Sequence, residues 1–113
     1  ASGLLSGRIT NETIFPQDDH RSGWLVGKRL ESLILRIKEI KKISELDLAD
    51  MAIRFLISQN SIDKIIFGIK NRNHIENIMN QIKQGPLDDT ISEKIIHLFD
   101  IDYGLKDQKE YGY

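Results

Sequence analysis

The chain has 113 residues, of which 40% are hydrophobic and 29% charged, with a net charge of −1 and no cysteine. This profile is typical of one soluble globular domain, and the near-zero charge argues against general adhesion to nucleic acid or to membranes. The absence of cysteine excludes disulfide and thiolate chemistry within these residues, and we expect a cytoplasmic location. No apolar run approaches the roughly 20 residues of a membrane span.

The N-terminal stretch and the segment after it differ in pattern. Residues 1–23 are rich in Gly, Ser, Thr and Asp, contain Pro16 and show no period, which predicts a long loop of the kind that is usually functional or disordered. From residue 24 onward, apolar residues recur at helical spacing with cations between them, which predicts an amphipathic helix with a basic outer face. The apolar positions are Val26, Leu30, Leu33, Ile34, Ile37 and Ile40, and the cations are Lys28, Arg29, Arg36, Lys38 and Lys41.

A second helix and a strand are predicted next. The helix begins after the N-cap residue Asp47 and ends near Asn60. Residues 62–68 then form a short apolar run rich in β-branched side chains, which predicts a strand buried on both faces. The apolar stripe of the helix consists of Leu48, Met51, Ala52, Phe55 and Leu56.

Two further helices are predicted after this strand. The third helix begins at Asn71 or Asn73, either of which can cap it, and ends at the Gly85-Pro86 pair. The fourth begins at Asp88 or Asp89, and residues 102–113 form a polar tail without a period. We expect the buried side chains to be Ile75, Ile78, Met79 and Ile82 in the third helix, and Ile91, Ile95, Leu98 and Phe99 in the fourth.

A single strand that is buried on both faces contradicts the rest of this inventory. Its backbone N–H and C=O groups need neighbouring strands, and the order of helix, strand and helix is that of a parallel βα repeat that these residues do not complete. We therefore predict an α/β protein in which residues 1–113 are one partial, C-terminal domain, mostly helical with one clear strand. It comprises a loop (1–23), a helix-helix-strand-helix-helix unit (24–101) and a tail (102–113). Alternatively, the strand pairs with a second copy, or the segment is helical.

The turn after the predicted strand carries the first functional signal. Gly68 would let a ligand approach the backbone closely, and the N-terminus of the next helix offers free N–H groups and partial positive charge. Lys70 and Arg72 add two full charges. The pattern indicates phosphate binding, with the alternative that Gly68 only relieves a tight turn and that the cations are solvated.

Three ordered motifs resemble the aldo-keto reductase family. The segment ASGLLSGRIT (1–10) resembles the stretch after the seventh strand of these enzymes, and FPQDDHR (15–21) resembles the loop that follows it in one branch. The segment LADMAIRFLISQNSIDKIIFGIKN (48–71) is similar to the family's penultimate helix, eighth strand and following turn. The resemblance implies the C-terminal portion of a (β/α)8 TIM barrel and an NADP(H)-dependent carbonyl or alcohol oxidoreductase.

The resemblance also implies a cofactor-binding surface. The loop after the family's seventh strand would lie along the pyrophosphate of the cofactor, and an arginine that follows this loop would approach the cofactor. The turn after the eighth strand would hold the side of the adenosine that carries the 2′-phosphate. His74 departs from the family's usual Gln or Arg, and Asn77 departs from its usual Glu. The implied cofactor-binding residues are Ser2, Gly3, Arg8, Arg21, Gly68, Lys70, Arg72, His74 and Asn77.

The resemblance places the family's catalytic Asp, Tyr, Lys and His on earlier strands, so no residue here is predicted to be catalytic and the chain alone is expected to be inactive. The expected partners are the nicotinamide cofactor and a small carbonyl substrate in the full-length protein. For the chain alone, we expect self-association through unpaired strand edges. A metal site is not expected, because His20, His74 and His97 are widely spaced.

An alternative of a different class stays open at this point. The chain could be a standalone helical binding module whose basic first helix contacts an acidic partner or nucleic acid. Such a module would need neither the isolated strand nor the glycine turn, so these two features favour the oxidoreductase interpretation.

Overall fold

A computed structural model describes residues 2–105. Its four α-helices are α1 (Gly27–Lys41), α2 (Leu48–Ile57), α3 (Arg72–Lys83) and α4 (Asp89–Asp100). Short 3-10 turns at Leu4–Ser6, His20–Gly23 and Asp102–Gly104 precede α1 and follow α4. None of these helices is long and apolar enough to cross a membrane.

The hydrophobic core lies between the N-terminal loop and α1. The loop contributes Phe15 and Leu25, of which Leu25 is completely buried. On the helix, Leu30, Leu33 and Ile34 are buried at the spacing of one helical face, as the apolar period predicted. The loop is therefore folded against α1. Partly buried residues that pack against this core are Leu4, Ile9 and Trp24 from the loop and Ile37 from α1.

The basic outer face predicted for α1 is partly wrong. Arg36 is only 7% exposed, and its guanidinium donates a hydrogen bond of 2.9 Å from Nη2 to Oδ1 of Asp102. The other cations of this helix stay exposed or half-buried. Arg36 can be buried rather than exposed because its guanidinium is paired with a carboxylate, and a buried charge is tolerated when it is paired.

Local capping signals fixed the starts of α3 and α4. Asn71 caps α3, since its side-chain Oδ1 accepts the N–H of His74 at 3.0 Å. Asp88 caps α4 by accepting the N–H of Thr90 at 2.9 Å. Asp47 stands at the N-cap position of α2, as predicted, but its side chain makes no capping hydrogen bond.

The predicted strand at residues 62–68 is wrong. The segment is irregular, and no residue in the range 2–105 lies in a strand. From Ile62 to Lys70 only the Ile62 amide makes a backbone hydrogen bond within the described chain, to the carbonyl of Gln59, and Ile66 is 97% exposed. A strand exists only by pairing, and the described residues offer this segment no partner strand. The alternative of a helix at this segment is wrong as well.

The inward faces predicted for α3 and α4 are also partly wrong. Ile75, Met79 and Ile82 on α3 are exposed, as is Phe99 on α4, whose exposure reaches 67%. The reason on α3 is its orientation, because its polar side chains face α2. They line a cleft of about 370 Å³ whose lining residues are Asp47, Asp50, Asn77, Asn80, Gln81 and Gln84. The remaining predicted inward residues, Ile78, Ile91, Ile95 and Leu98, are half-buried.

Candidate functional site: two groups of cofactor-side residues

Arg21 and Asp19 form the first group of the candidate site. Asp19 caps the 3-10 turn His20–Gly23 by accepting the backbone N–H of Arg21 at 2.9 Å. The same carboxylate accepts the guanidinium in a forked arrangement, with Nε to Oδ1 at 2.9 Å and Nη2 to Oδ2 at 2.5 Å. This bidentate geometry fixes the guanidinium plane, because an arginine fork and a carboxylate match each other in shape.

The Arg21 guanidinium also holds the start of the chain. Its Nη1 donates to the carbonyl of Ser2 at 3.0 Å, and its central carbon lies 4.5 Å from the centre of the Phe15 ring. Gly3 has a φ of +80°, and a Cβ at this position would lie 3.4 Å from Nη1. Glycine is therefore favoured here for its positive φ, and a Cβ would make only an ordinary contact with the arginine. The structure brings Ser2, Gly3 and Arg21 into contact.

The charges of Arg21 and Asp19 largely offset each other. The side-chain hydrogen bond from Arg21, followed by its backbone N–H, lowers the pKa of Asp19 well below its usual range. The bond to Asp19 in turn raises the pKa of Arg21. Because the carboxylate stays ionised at neutral pH, it offsets the arginine charge. Each Nη nitrogen of Arg21 nevertheless keeps one N–H without a bond in the described chain.

Arg8 stands apart from this pair. Its backbone N–H donates to Oγ of Ser6 at 3.3 Å, and its exposed side chain makes no ion pair within residues 2–105. No hydrogen bond in that range joins it to Arg21. Arg8 thus offers a full positive charge to solvent next to the loop that Arg21 holds.

The second group surrounds the N-terminus of α3. Lys70 is exposed and has no ion-pair partner in the part of the chain that the structure describes. Arg72, whose side chain is 90% exposed, pairs with Glu76 at 3.0 Å. A Cβ added to Gly68 would meet no atom within 4 Å, so the turn has open space beside it.

The two other predicted residues of this group are placed differently. His74 contributes its backbone N–H to the Asn71 cap, and its side chain is half-buried. Asn77 lines the polar cleft between α2 and α3 rather than the terminus of α3. Between residues 2 and 105, no hydrogen bond or ion pair joins the Ser2, Gly3, Arg8 and Arg21 group to the residues around Lys70. The predicted residues therefore form two groups that no hydrogen bond or ion pair connects within the described range.

Sequence reasoning missed Asp19, which orients Arg21. The available signal was local, because an Asp two residues before an Arg can cap a turn and reach the same side chain. The reasoning also missed Phe15, on whose ring the guanidinium lies. No group of three or more potential metal ligands comes together among the described residues.

A comparison with family models assigns the chain. The model described as the Aldo/keto reductase family matches residues 1–97. Since the match covers most of the chain, this protein belongs to the aldo/keto reductase family, and the resemblance carried by its motifs is confirmed. The family consists of oxidoreductases that are built on a TIM barrel and generally use nicotinamide cofactors. No curated protein and no solved structure matches the chain.

Proposed function

We propose that this chain is the cofactor-holding C-terminal part of an NADP(H)-dependent aldo-keto reductase, which interconverts small carbonyl compounds and alcohols. The observation that carries the proposal is the start of α3, where an exposed lysine and an exposed arginine flank a capped helix N-terminus. A helix N-terminus favours anions, and NADP(H) differs from NAD(H) by one phosphate group.

The residues at this terminus fit a phosphate group. Asn71 takes up the N–H of His74, but the backbone N–H groups of Arg72 and Asn73 have no acceptor in the described chain. Lys70 supplies a charge without a protein partner there, and Gly68 leaves open space beside the turn. Two amide donors, a free ammonium group and room for a ligand match the chemistry of a phosphate dianion.

The chain's own residues then divide the binding work. Lys70 and Arg72 would hold the 2′-phosphate, and the Ser2-Gly3 loop with Arg8 would lie along the pyrophosphate. Arg21 has a different role from a simple phosphate ligand, because its fork is occupied by Asp19 and its Nη1 holds Ser2. It would keep the loop in place while offering only its remaining N–H groups. The bound cofactor supplies or accepts the hydride, and no residue of this chain is assigned a catalytic role.

The exposed apolar residues support the same proposal. Residues 62–69 have an almost unbonded backbone, and the stripe of Ile75, Met79 and Ile82 on α3 faces away from α2. In a barrel, strands are covered by helices on the outside and paired on both edges. Earlier strands of a family barrel would cover these surfaces. The alternative of a binding module with a basic helix gains no support from Arg36, because this arginine is buried and paired with Asp102.

The experiment is a pair of dissociation constants in the complete reductase. Lys70→Ala should weaken NADPH by roughly 10- to 150-fold, because a charge-assisted hydrogen bond contributes about 1.5–3 kcal/mol, and it should leave NADH nearly unchanged. Lys64→Ala is the matched control, since Lys64 is another exposed lysine just before the turn. Arg72→Ala should act in the same direction but less strongly, because Glu76 offsets its charge.

Two outcomes of this experiment would count against the proposal. Equal losses for NADPH and NADH would mean that the turn holds the shared pyrophosphate, and no loss for either would mean that Lys70 and Arg72 belong to a solvated turn.

In the chain alone, NADPH oxidation with a series of aldehydes should stay at the background rate. Turnover that follows the purified chain through gel filtration would contradict the assignment of catalysis to residues elsewhere.

A further inference from the structure

The end of α4 is tied to the middle of α1 by a buried arginine. Arg36 donates from Nη1 to the Oγ and, at 3.3 Å, to the carbonyl of Ser32, one turn earlier on its own helix. Its Nη2 donates to Oδ1 of Asp102 at 2.9 Å, and the guanidinium carbon lies 5.8 Å from the centre of the Tyr103 ring. The arginine side chain is 8% exposed and that of Asp102 is 34% exposed. The pair therefore joins residues 66 positions apart at the border of the core.

The turn that Arg36 holds has an unfavourable backbone. Asp102, Tyr103 and Gly104 have φ angles of +48°, +58° and +69°. Glycine adopts this region at no cost and aspartate tolerates it, but tyrosine does so rarely. Three consecutive residues in the left-handed region redirect the chain as it leaves α4. Such a backbone persists only where surrounding contacts hold it.

We propose that residues 101–105 are a conformational latch that Arg36 keeps closed. In the closed state, Asp102 and Tyr103 lie against the guanidinium, and the N–H groups of Gly104 and Leu105 donate to the carbonyls of Ile101 and Asp102 at 3.0 Å each. When the ion pair is lost, Asp102 and Tyr103 return to negative φ, and these two hydrogen bonds break. The core around α1 keeps its packing in this open state.

Hydrogen exchange of individual amides in the whole chain tests the latch. Asp102→Asn keeps a side chain that tolerates the left-handed region but removes the charge that Arg36 binds. The protection of the Gly104 and Leu105 amides should fall by about 10- to 150-fold, as expected for the loss of a charge-assisted hydrogen bond. Asp100→Asn is the matched control, because Asp100 is exposed at the end of the same helix and forms no ion pair within the described chain. Its protection at both amides should equal that of the unchanged protein.

A second variant tests the backbone part without touching the core. A Cβ at Gly104 would meet no atom within 4 Å, so Gly104→Ala adds only the cost of a positive φ. Protection at the same two amides should fall by about 5- to 30-fold. Gly68→Ala, which has equal space and no positive φ, should leave them unchanged.

Three results decide the proposal. Selective loss at Gly104 and Leu105 in both variants, with the amides of α1 and α2 unchanged, supports the latch. Unchanged protection at the two amides in Asp102→Asn would overturn it, because the ion pair would then not hold the turn. An equal loss across α1 and α2 would also overturn it, because the pair would then support the whole fold rather than one local state.

Discussion

The N-terminal loop with α1 and the stretch of residues 62–83 treat their apolar side chains in opposite ways. In the first region, Phe15, Leu25 and Leu30 are buried against one another. In the second region, Ile66 and the apolar stripe of α3 are exposed. Both regions carry apolar residues at regular spacing, so hydrophobic pattern alone does not decide burial. The first region contains two apolar surfaces that pack against each other. The second contains one apolar surface, which has no packing partner among the described residues.

The largest expected effect is a difference in stability between the two regions. Leu30→Ala should lower the free energy of unfolding by about 2–5 kcal/mol, because it leaves a cavity in a filled core. Ile75→Ala should change it by no more than about 0.5 kcal/mol, since Ile75 is an exposed residue in the chain alone. Urea unfolding followed by circular dichroism measures both. Comparable losses for the two variants would show that the stripe of α3 is buried in solution, which would end the contrast between the regions.

Association of the isolated chain is the next largest effect. We propose that residues 62–69 pair with a second copy, because an exposed apolar segment with unbonded backbone is a template for strand pairing. Ile66→Lys should weaken this association by roughly 10- to 150-fold, the factor that corresponds to about 1.5–3 kcal/mol for one buried isoleucine. Sedimentation equilibrium over a range of concentrations measures it.

The chain provides a matched control for this association. Ile14 is 91% exposed, close to the 97% of Ile66, but it lies in the N-terminal loop. Ile14→Lys should leave the association constant unchanged. If both lysine variants weakened association equally, any exposed isoleucine would contribute to association. The proposal that residues 62–69 form the pairing segment would then be wrong. A monomer at all concentrations would remove the second copy as a partner.

The same contrast explains which elements could be predicted from the sequence. Helix starts such as Asn71 and Asp88 depend on side chains within three residues, so local patterns suffice. The state of residues 62–68 depends on neighbouring strands, which the described residues do not include, and no local pattern can supply them. The burial of Arg36 depends on Asp102, which is distant in sequence and whose position is set by the packing of α4 on α1.

The candidate site divides in the same way. The cations at Lys70 and Arg72 followed from the sequence, because a strand-like run, a glycine and a capped helix lie next to one another. The bidentate ion pair between Asp19 and Arg21, here called the Asp19–Arg21 clamp, could in principle be predicted from the sequence, because the two residues are only two positions apart. Whether the two groups meet around one cofactor depends on residues outside both groups. Their union therefore stays a prediction that the family assignment supports.

The smallest expected effect concerns pH and the Asp19–Arg21 clamp. The pKa of Asp19 is lowered in the folded chain, so its contribution to stability is fully present above the unfolded pKa of about 3.9 and is lost as the pH falls toward the lower folded value. Asp19→Asn carries no such charge. The urea midpoint of the unchanged chain should therefore exceed that of Asp19→Asn by a constant margin above about pH 5, and the margin should shrink as the pH falls below about 4.

Asp18→Asn serves as the control, because Asp18 is exposed and makes no ion pair in the range 2–105. The urea midpoint of this variant should follow that of the unchanged chain. A margin that stayed constant down to pH 2 would mean that Asp19 acts through its neutral hydrogen bonds, and the clamp would then hold Ser2 and Gly3 by shape rather than by charge.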